Sequence, residues 1–144
     1  MQWLQDEPQA DACQSTLDAA DRGDVELYIS TLAIAETLMV RGHPPLGVEA
    51  KLKVRSFFKR ESIVPIEVDR YCAEVAQDLV WDHKIKPKDA ILIASALLAG
   101  CEILETFDKD LIKKSGRIGG IPTLKIALPG SGLMASLRLD DRRA

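Results

Sequence analysis

The sequence has few residues that bind transition metals, and none of them stand in a metal-binding spacing. Its 144 residues include two histidines, His43 and His83, and three cysteines, Cys13, Cys72 and Cys101, which lie far apart without a CxxC pair. A zinc site built from His and Cys is therefore nearly ruled out. The odd number and wide spacing of the cysteines predict reduced thiols rather than a disulfide framework.

Long apolar runs and an excess of positive charge are also missing. The longest uncharged apolar run, residues 90–101, is too short to span a bilayer. No basic segment followed by an apolar stretch opens the chain, so we expect no secretory leader and a cytoplasmic protein. The net charge of −3 argues against a strongly cationic nucleic-acid binder, but it permits an enzyme that contacts nucleic acid at one patch.

What the sequence does contain is enough apolar surface for one packed domain. Hydrophobic residues make up 47% of the chain and charged residues 28%, a composition that argues against general disorder. The charge is uneven, because residues 1–36 hold eight acidic residues and one basic residue. We assign residues 1–128 to one domain. Residues 129–144, which contain Gly-Ser-Gly and end in Asp-Asp-Arg-Arg-Ala, are expected to be a flexible tail.

Alternating helix and strand patterns predict an α/β fold. Helices are expected over residues 3–21, 31–40, 45–59, 69–83 and 87–98, and strands over residues 26–30, 62–66, 101–106 and 122–126. Pro65 favours an edge position for the second of these strands. The helix over residues 87–98 is apolar on nearly every side, so it should be buried. Strands that alternate with helices predict a parallel sheet covered on both faces.

Three acidic residues fall where strands lead into helices, which is where parallel sheets bind ligands. Glu36 lies in the helix after the first strand, Asp89 in the first turn of the buried helix, and Asp108 two residues past the third strand. Carboxylates that converge repel each other, and a hard divalent cation such as Mg²⁺ or Mn²⁺ relieves this repulsion. Such an ion can activate water and hold a phosphodiester oxygen.

Each of these charged groups also has a purely structural explanation. The helix dipole favours an acid at Asp89, and Asp108 could simply cap the turn that follows it; for either residue alone this explanation is favoured. Glu36 is harder to explain, since its helix is otherwise apolar and a carboxylate there is costly unless it is paired. Asp110 is typical of a solvated charge. A solvated surface that could also suit a phosphate backbone is formed by Lys109, Lys113, Lys114 and Arg117.

Three segments resemble successive motifs of PIN-domain ribonucleases, and most closely those of the toxins in VapBC-type toxin–antitoxin pairs. They are residues 30–36, residues 86–98 with Asp-Ala-Ile-Leu-Ile-Ala-Ser-Ala-Leu, and residues 101–110 with Thr-Phe-Asp-Lys-Asp. The resemblance covers roughly residues 1–128. It implies a three-layer α/β/α domain with a parallel sheet, which cuts single-stranded RNA with Mg²⁺ or Mn²⁺ and is neutralised by an antitoxin.

The resemblance also implies roles for individual residues. Glu36, Asp89 and Asp108 match the second, third and fourth acids of the family, which are catalytic and hold the metal. Thr106 matches a hydroxyl position beside the last acid, and Asp110 a variable neighbour. Contacts to the RNA are expected from Thr106 and from the lysines Lys109, Lys113 and Lys114.

One part of the family pattern is missing from this sequence. Family members carry the first acid at the end of an N-terminal strand that lies at the centre of the sheet, and no residue here matches it. Asp6 and Asp11 lie on the predicted helix and do not replace it. We expect that the natural reading frame begins upstream with this strand. The alternative is a catalytically degenerate PIN-like module that only binds protein.

The helices expected over residues 31–40 and 45–59 carry more apolar surface than one small sheet can cover. PIN toxins use these helices for a homodimer and for an antitoxin groove, and an open patch of this size would be a liability in a monomer. A homodimer or a complex with an antitoxin is therefore expected. The residues of this surface are Leu38, Met39, Val40, Leu46, Val48, Leu52 and Val54.

Overall fold

Short parallel strands are interspersed among helices along the chain, which confirms the α/β class. A computed structural model describes residues 7–37 and 47–131, with side chains from Asp11 onward. The elements are α1 (Glu7–Asp21), β1 (Leu27–Ser30), α2 (Thr31–Glu36), α3 (Val48–Phe58), β2 (Ile63–Ile66), α4 (Arg70–His83), α5 (Pro87–Leu98), β3 (Ile103–Glu105), α6 (Lys109–Ile112) and β4 (Lys125–Ala127).

Most of the expected helices and strands are confirmed, although many of their ends differ from the expected positions; α5 has the expected bounds. Two of these differences have a clear physical reason. The helix expected to reach residue 40 ends at Glu36, because Thr37 has extended backbone dihedrals; residues 38–40 lie outside the described ranges. The strand expected from residue 122 begins at Lys125, because the N–H of Leu124 donates to the carbonyl of Gly119 and closes a turn there.

The strands form two parallel pairs. In the first pair β1 lies beside β2, with Leu27 opposite Ile63, and in the second β3 lies beside β4, with Glu105 opposite Ala127. Among residues 7–37 and 47–131, no third strand joins either pair. Each pair is parallel as expected, whereas the single sheet expected from four strands is described as two pairs. Pairs of three or four residues are not stable alone, so helix packing must hold them.

The described residues form two compact units. The central unit is Glu26–Ser95, which contains β1, α2, α3, β2, α4 and most of α5. The terminal unit combines the chain before Glu26 with the chain after Ser95, and contains α1, the end of α5, β3, α6 and β4. None of the helices in the described ranges combines the length and apolarity needed to cross a membrane.

The core of the central unit comes mainly from α4 and α5. Apolar residues of α4 recur at helical spacing on one face, and α5 buries small and branched side chains as its composition predicts. The one buried hydroxyl of α5 is satisfied, because Ser95 Oγ donates to the carbonyl of Ile91 at 2.8 Å. The buried apolar residues of this unit are Val54, Ile63, Cys72, Ala76, Leu79, Ile85, Ala90, Ile93 and Ala94.

The terminal unit buries the end of α1 together with β4. Gly23 has a φ of 79°, a left-handed conformation that suits glycine, and it follows the last turn of α1. After β4 the described chain continues through a turn to Ser131, and the domain boundary expected at residue 128 stays a prediction. The buried apolar residues of this unit are Ala19, Ala20, Ala96, Leu111, Leu124 and Ile126.

The burial of α5 gives a prediction on stability. Ile93 has 0% exposure, so Ile93→Ala should lower the free energy of unfolding by about 2–5 kcal/mol, because it removes buried methyl groups and leaves a cavity. Leu98→Ala, on the same helix at a side chain that is 40% exposed, is the control and should cost clearly less. Urea denaturation followed by circular dichroism measures both. Equal losses would show that α5 is not the core helix.

Candidate functional site

Glu36 lies at the end of α2 with its side chain exposed. The helix begins as expected, since Ser30 Oγ accepts a hydrogen bond from the N–H of Leu32 at 3.3 Å. Ile34 and Ala35 beside Glu36 are also exposed. The expectation that apolar surroundings make the charge of Glu36 costly is therefore wrong. Exposure leaves the carboxylate hydrated and accessible to a ligand.

Asp89 lies in the first turn of α5, and its residue is half-buried. Pro87 is the first residue of this helix, and the N–H of Ala90 already donates to the carbonyl of Lys86 at 2.9 Å. The carboxylate of Asp89 is therefore at the positive end of a buried helix, as the dipole explanation requires. A helix this well packed also holds a functional group in one place.

Asp108 caps α6 within a hydrogen-bonded loop after β3. Its backbone N–H donates to Thr106 Oγ1 at 3.1 Å, and its Oδ1 accepts from the N–H groups of Asp110 at 2.9 Å and Leu111 at 3.3 Å. The structural explanation from the sequence, an N-cap, is thus confirmed. The cap uses one carboxylate oxygen. In the described part of the chain no donor is bound to Oδ2 of this exposed residue, so the cap and a metal contact are compatible.

The lysines next to Asp108 lie in α6 and just beyond it. Lys109, Lys113 and Arg117 are exposed, while Lys114 is half-buried. The exposed pair between Lys113 Nζ and Asp110 Oδ1, at 3.7 Å, adds little stability in water. A solvated surface, the structural explanation, fits these residues, and their contact with RNA remains a prediction.

A hydrogen-bonded cluster that the sequence did not predict lies at the end of β3. Glu105 Oε2 accepts from the hydroxyl of Thr16 in α1 at 2.8 Å, and its Oε1 accepts from the N–H of Gly130 at 3.1 Å. Burial raises the pKa of the Cys13 thiol, and the Glu105 carboxylate raises that pKa further. Thr16 and Glu105 are 89 positions apart, so no local pattern could link them.

The acids have the right chemistry for a hard divalent cation, because Mg²⁺ and Mn²⁺ prefer carboxylate oxygens. Within the described ranges, no group of three or more His, Cys, Asp or Glu side chains is placed to hold a metal ion. Metal binding by Glu36, Asp89 and Asp108 therefore remains a prediction from the sequence.

A comparison with models of protein families identifies the family of this chain. The family model of the PIN domain matches residues 1–117. The chain belongs to the PIN domain family. The matched range contains the three motif acids and every secondary-structure element before β4. A comparison with curated proteins finds no match. The PIN domain indicates nuclease activity and RNA binding in general terms, and PIN domains generally use divalent metal ions.

The pKa of Cys13 gives a prediction on thiol reactivity. Because that pKa is raised, little thiolate forms near pH 8, and Cys13 should react slowly with iodoacetamide. Glu105→Gln removes the negative charge, so the pKa should fall and alkylation at the same pH should become faster. Mass spectrometry of the separated peptides measures the rates, with Cys101 as the control. An unchanged Cys13 rate would show that the charge of Glu105 does not reach the thiol.

Proposed function

We propose that this PIN domain is a Mg²⁺- or Mn²⁺-dependent endoribonuclease that cuts single-stranded RNA and acts as the toxin of a VapBC-like toxin–antitoxin pair. The observation that supports it most is the loop of Asp108. There one carboxylate oxygen accepts from two backbone N–H groups, the other accepts no hydrogen bond from the described residues, and exposed lysines follow in the sequence. Family membership and the order of the three motif acids support the same conclusion.

In this proposal Glu36, Asp89 and Asp108 supply the carboxylate oxygens for the ion. When bound, the ion lowers the pKa of a water molecule and offsets charge on the phosphodiester. Thr106 holds the Asp108 loop through its hydroxyl, and the lysines after Asp108 bind RNA phosphates. Because no three-ligand group is assembled among the described residues, we expect weak affinity for the free ion. RNA phosphates would then complete its ligands, as substrate phosphates do for Mg²⁺ in many enzymes.

The second candidate function is a PIN-like module that binds protein and cuts nothing. It is favoured by the same lack of a three-ligand group in the described ranges. The two candidates differ in one measurable property, since only the nuclease loses an activity when a motif acid is neutralised.

Neutralising the motif acids tests the nuclease. Asp89→Asn and Asp108→Asn should each weaken Mn²⁺ binding in calorimetry and reduce Mn²⁺-dependent cleavage of single-stranded RNA about 100-fold or more, because an ion contributes several kcal/mol to the barrier. Chelation by EDTA should abolish cleavage. Asparagine is also a good N-cap, so Asp108→Asn should keep α6 folded. A loss of Mn²⁺ binding in this variant then reports on the metal contact and not on the cap.

The matched control is Asp110→Asn, which changes an exposed carboxylate in the first turn of α6 that pairs with Lys113. It should leave both measurements near those of the unmodified protein. No Mn²⁺-dependent cleavage by the unmodified protein, or equal cleavage by all variants, would reject the nuclease and favour the protein-binding module.

An exposed apolar surface on α3 supports a protein partner. Val48 is 73% exposed and Leu52 58%, and Ile34 of α2 is exposed as well. Val54, which was expected on this surface, is instead buried and belongs to the core. The remaining predicted members, Leu38, Met39, Val40 and Leu46, lie outside the described residues. We propose that α3 takes part in a homodimer or in antitoxin binding, because large exposed apolar side chains mark interaction sites.

Light scattering tests this surface. The protein should be a dimer at micromolar concentration, or co-purify with an antitoxin, and Leu52→Glu should convert it to a monomer by placing a charge in the interface. Lys51→Glu changes an exposed neighbour on the same helix and should leave the assembly intact. A stable monomer without a partner before any substitution would contradict the proposal.

A further inference from the structure

Glu105 joins three separate parts of the terminal unit through two hydrogen bonds. Its carboxylate lies at the end of β3, accepts the hydroxyl of Thr16 in α1 on one oxygen, and accepts the N–H of Gly130 on the other. We call these three residues the Glu105 clasp. All three residues are half-buried, so water competes only in part for these two hydrogen bonds. Each hydrogen bond therefore restrains the chain segments that it joins.

The clasp stands directly before the loop of Asp108. The next residue, Thr106, bonds in two directions: its N–H donates to the carbonyl of Ala127 at 2.9 Å, and its Oγ1 accepts from the N–H of Asp108. Asp108 Oδ1 then accepts from the N–H groups of Asp110 and Leu111. A continuous series of bonds therefore runs from the clasp to the carboxylate of Asp108.

The chemistry of the clasp requires a side chain that satisfies two partners at once. The N–H of Gly130 would lose its acceptor if the carboxylate were removed, and a partly buried unsatisfied donor destabilises its segment. Gly130 has a φ of 84°, a left-handed conformation that few residues other than glycine adopt. This backbone conformation sets the direction of its N–H group. Glu105 is thus built into the loop and is not a solvated charge.

We propose that Glu105 is a positioning residue of the nuclease, which fixes the loop of Asp108 through Thr16 and Gly130 without touching metal or RNA. The inference rests on the proposed function for its effect on catalysis. Its structural part, the restraint of the Asp108 loop, can be measured without any RNA.

Replacement of Glu105 by glutamine distinguishes the effect of its hydrogen bonds from the effect of its charge. In Glu105→Gln the amide oxygen can accept from Gly130, and the amide nitrogen can donate to the Thr16 hydroxyl, which also accepts. Both bonds are therefore kept while the charge is lost. Glu105→Ala loses both bonds, and Thr16→Val loses only one. Glu102→Ala, at an exposed side chain just before β3, is the matched control.

Hydrogen exchange and cleavage kinetics together form the test. Glu105→Ala should speed amide exchange at Gly130, Asp110 and Leu111 and should lower kcat about tenfold with little change in KM, because misplacement of a reacting group slows the chemical step. Thr16→Val should have a smaller effect in the same direction. Glu105→Gln and Glu102→Ala should behave like the unmodified protein in both measurements.

Each result either supports or overturns the clasp. Unchanged exchange in the alanine variant overturns it, and so does a glutamine variant that behaves like alanine, since charge would then be what matters. If Glu105→Ala fails to fold by circular dichroism, Thr16→Val decides by the same exchange measurement. If the unmodified protein does not cut RNA, the proposed function fails, and the exchange pattern still decides whether Glu105 restrains the loop.

Discussion

Burial of the helix α5 is the constraint on which the described structure depends. The strands have only three or four residues each and pair two by two, so their hydrogen bonds cannot hold a fold by themselves. The helix supplies what the strands lack, because Ala90, Ile93 and Ala94 are fully buried. Its first turn carries Asp89. The most strongly packed element thus also carries one of the acids that match the family motif.

Asp108 shows that a structural and a functional explanation can hold for the same residue. Its Oδ1 caps α6 through two backbone N–H groups, which is sufficient reason for an acid at this position. The cap also fixes the direction of the carboxylate, and such fixation is what a metal ligand requires. A capping role therefore does not count against a role in catalysis. It instead explains how a ligand on a short loop could be held in place.

For Glu36, the structure removes the argument that was made from the sequence. The sequence argument held that an acid within an apolar helix must be paired or functional, and the exposure of Ile34, Ala35 and Glu36 removes that argument. The apolar side chains of α2 are thus exposed or half-buried, and none of its residues is fully buried. A role for Glu36 rests on the resemblance of residues 30–36 to a family motif and on its place in the helix after β1, and not on the cost of burying its charge.

The sequence by itself determined the α/β class, the order of the elements, the burial of α5 and the PIN motifs, because these follow from local spacing of apolar residues, caps and turns. It also indicated the edge position of Pro65, which cannot donate to a strand partner. Only the tertiary structure decided that Val54 is buried while Leu52 is exposed, because both are apolar residues of the same helix and the sequence does not show which face of it is covered. The contact of Glu105 with Thr16 and Gly130 was likewise decided there. Hydrogen bonds between residues this far apart depend on how the chain folds back on itself, which no short stretch of sequence encodes.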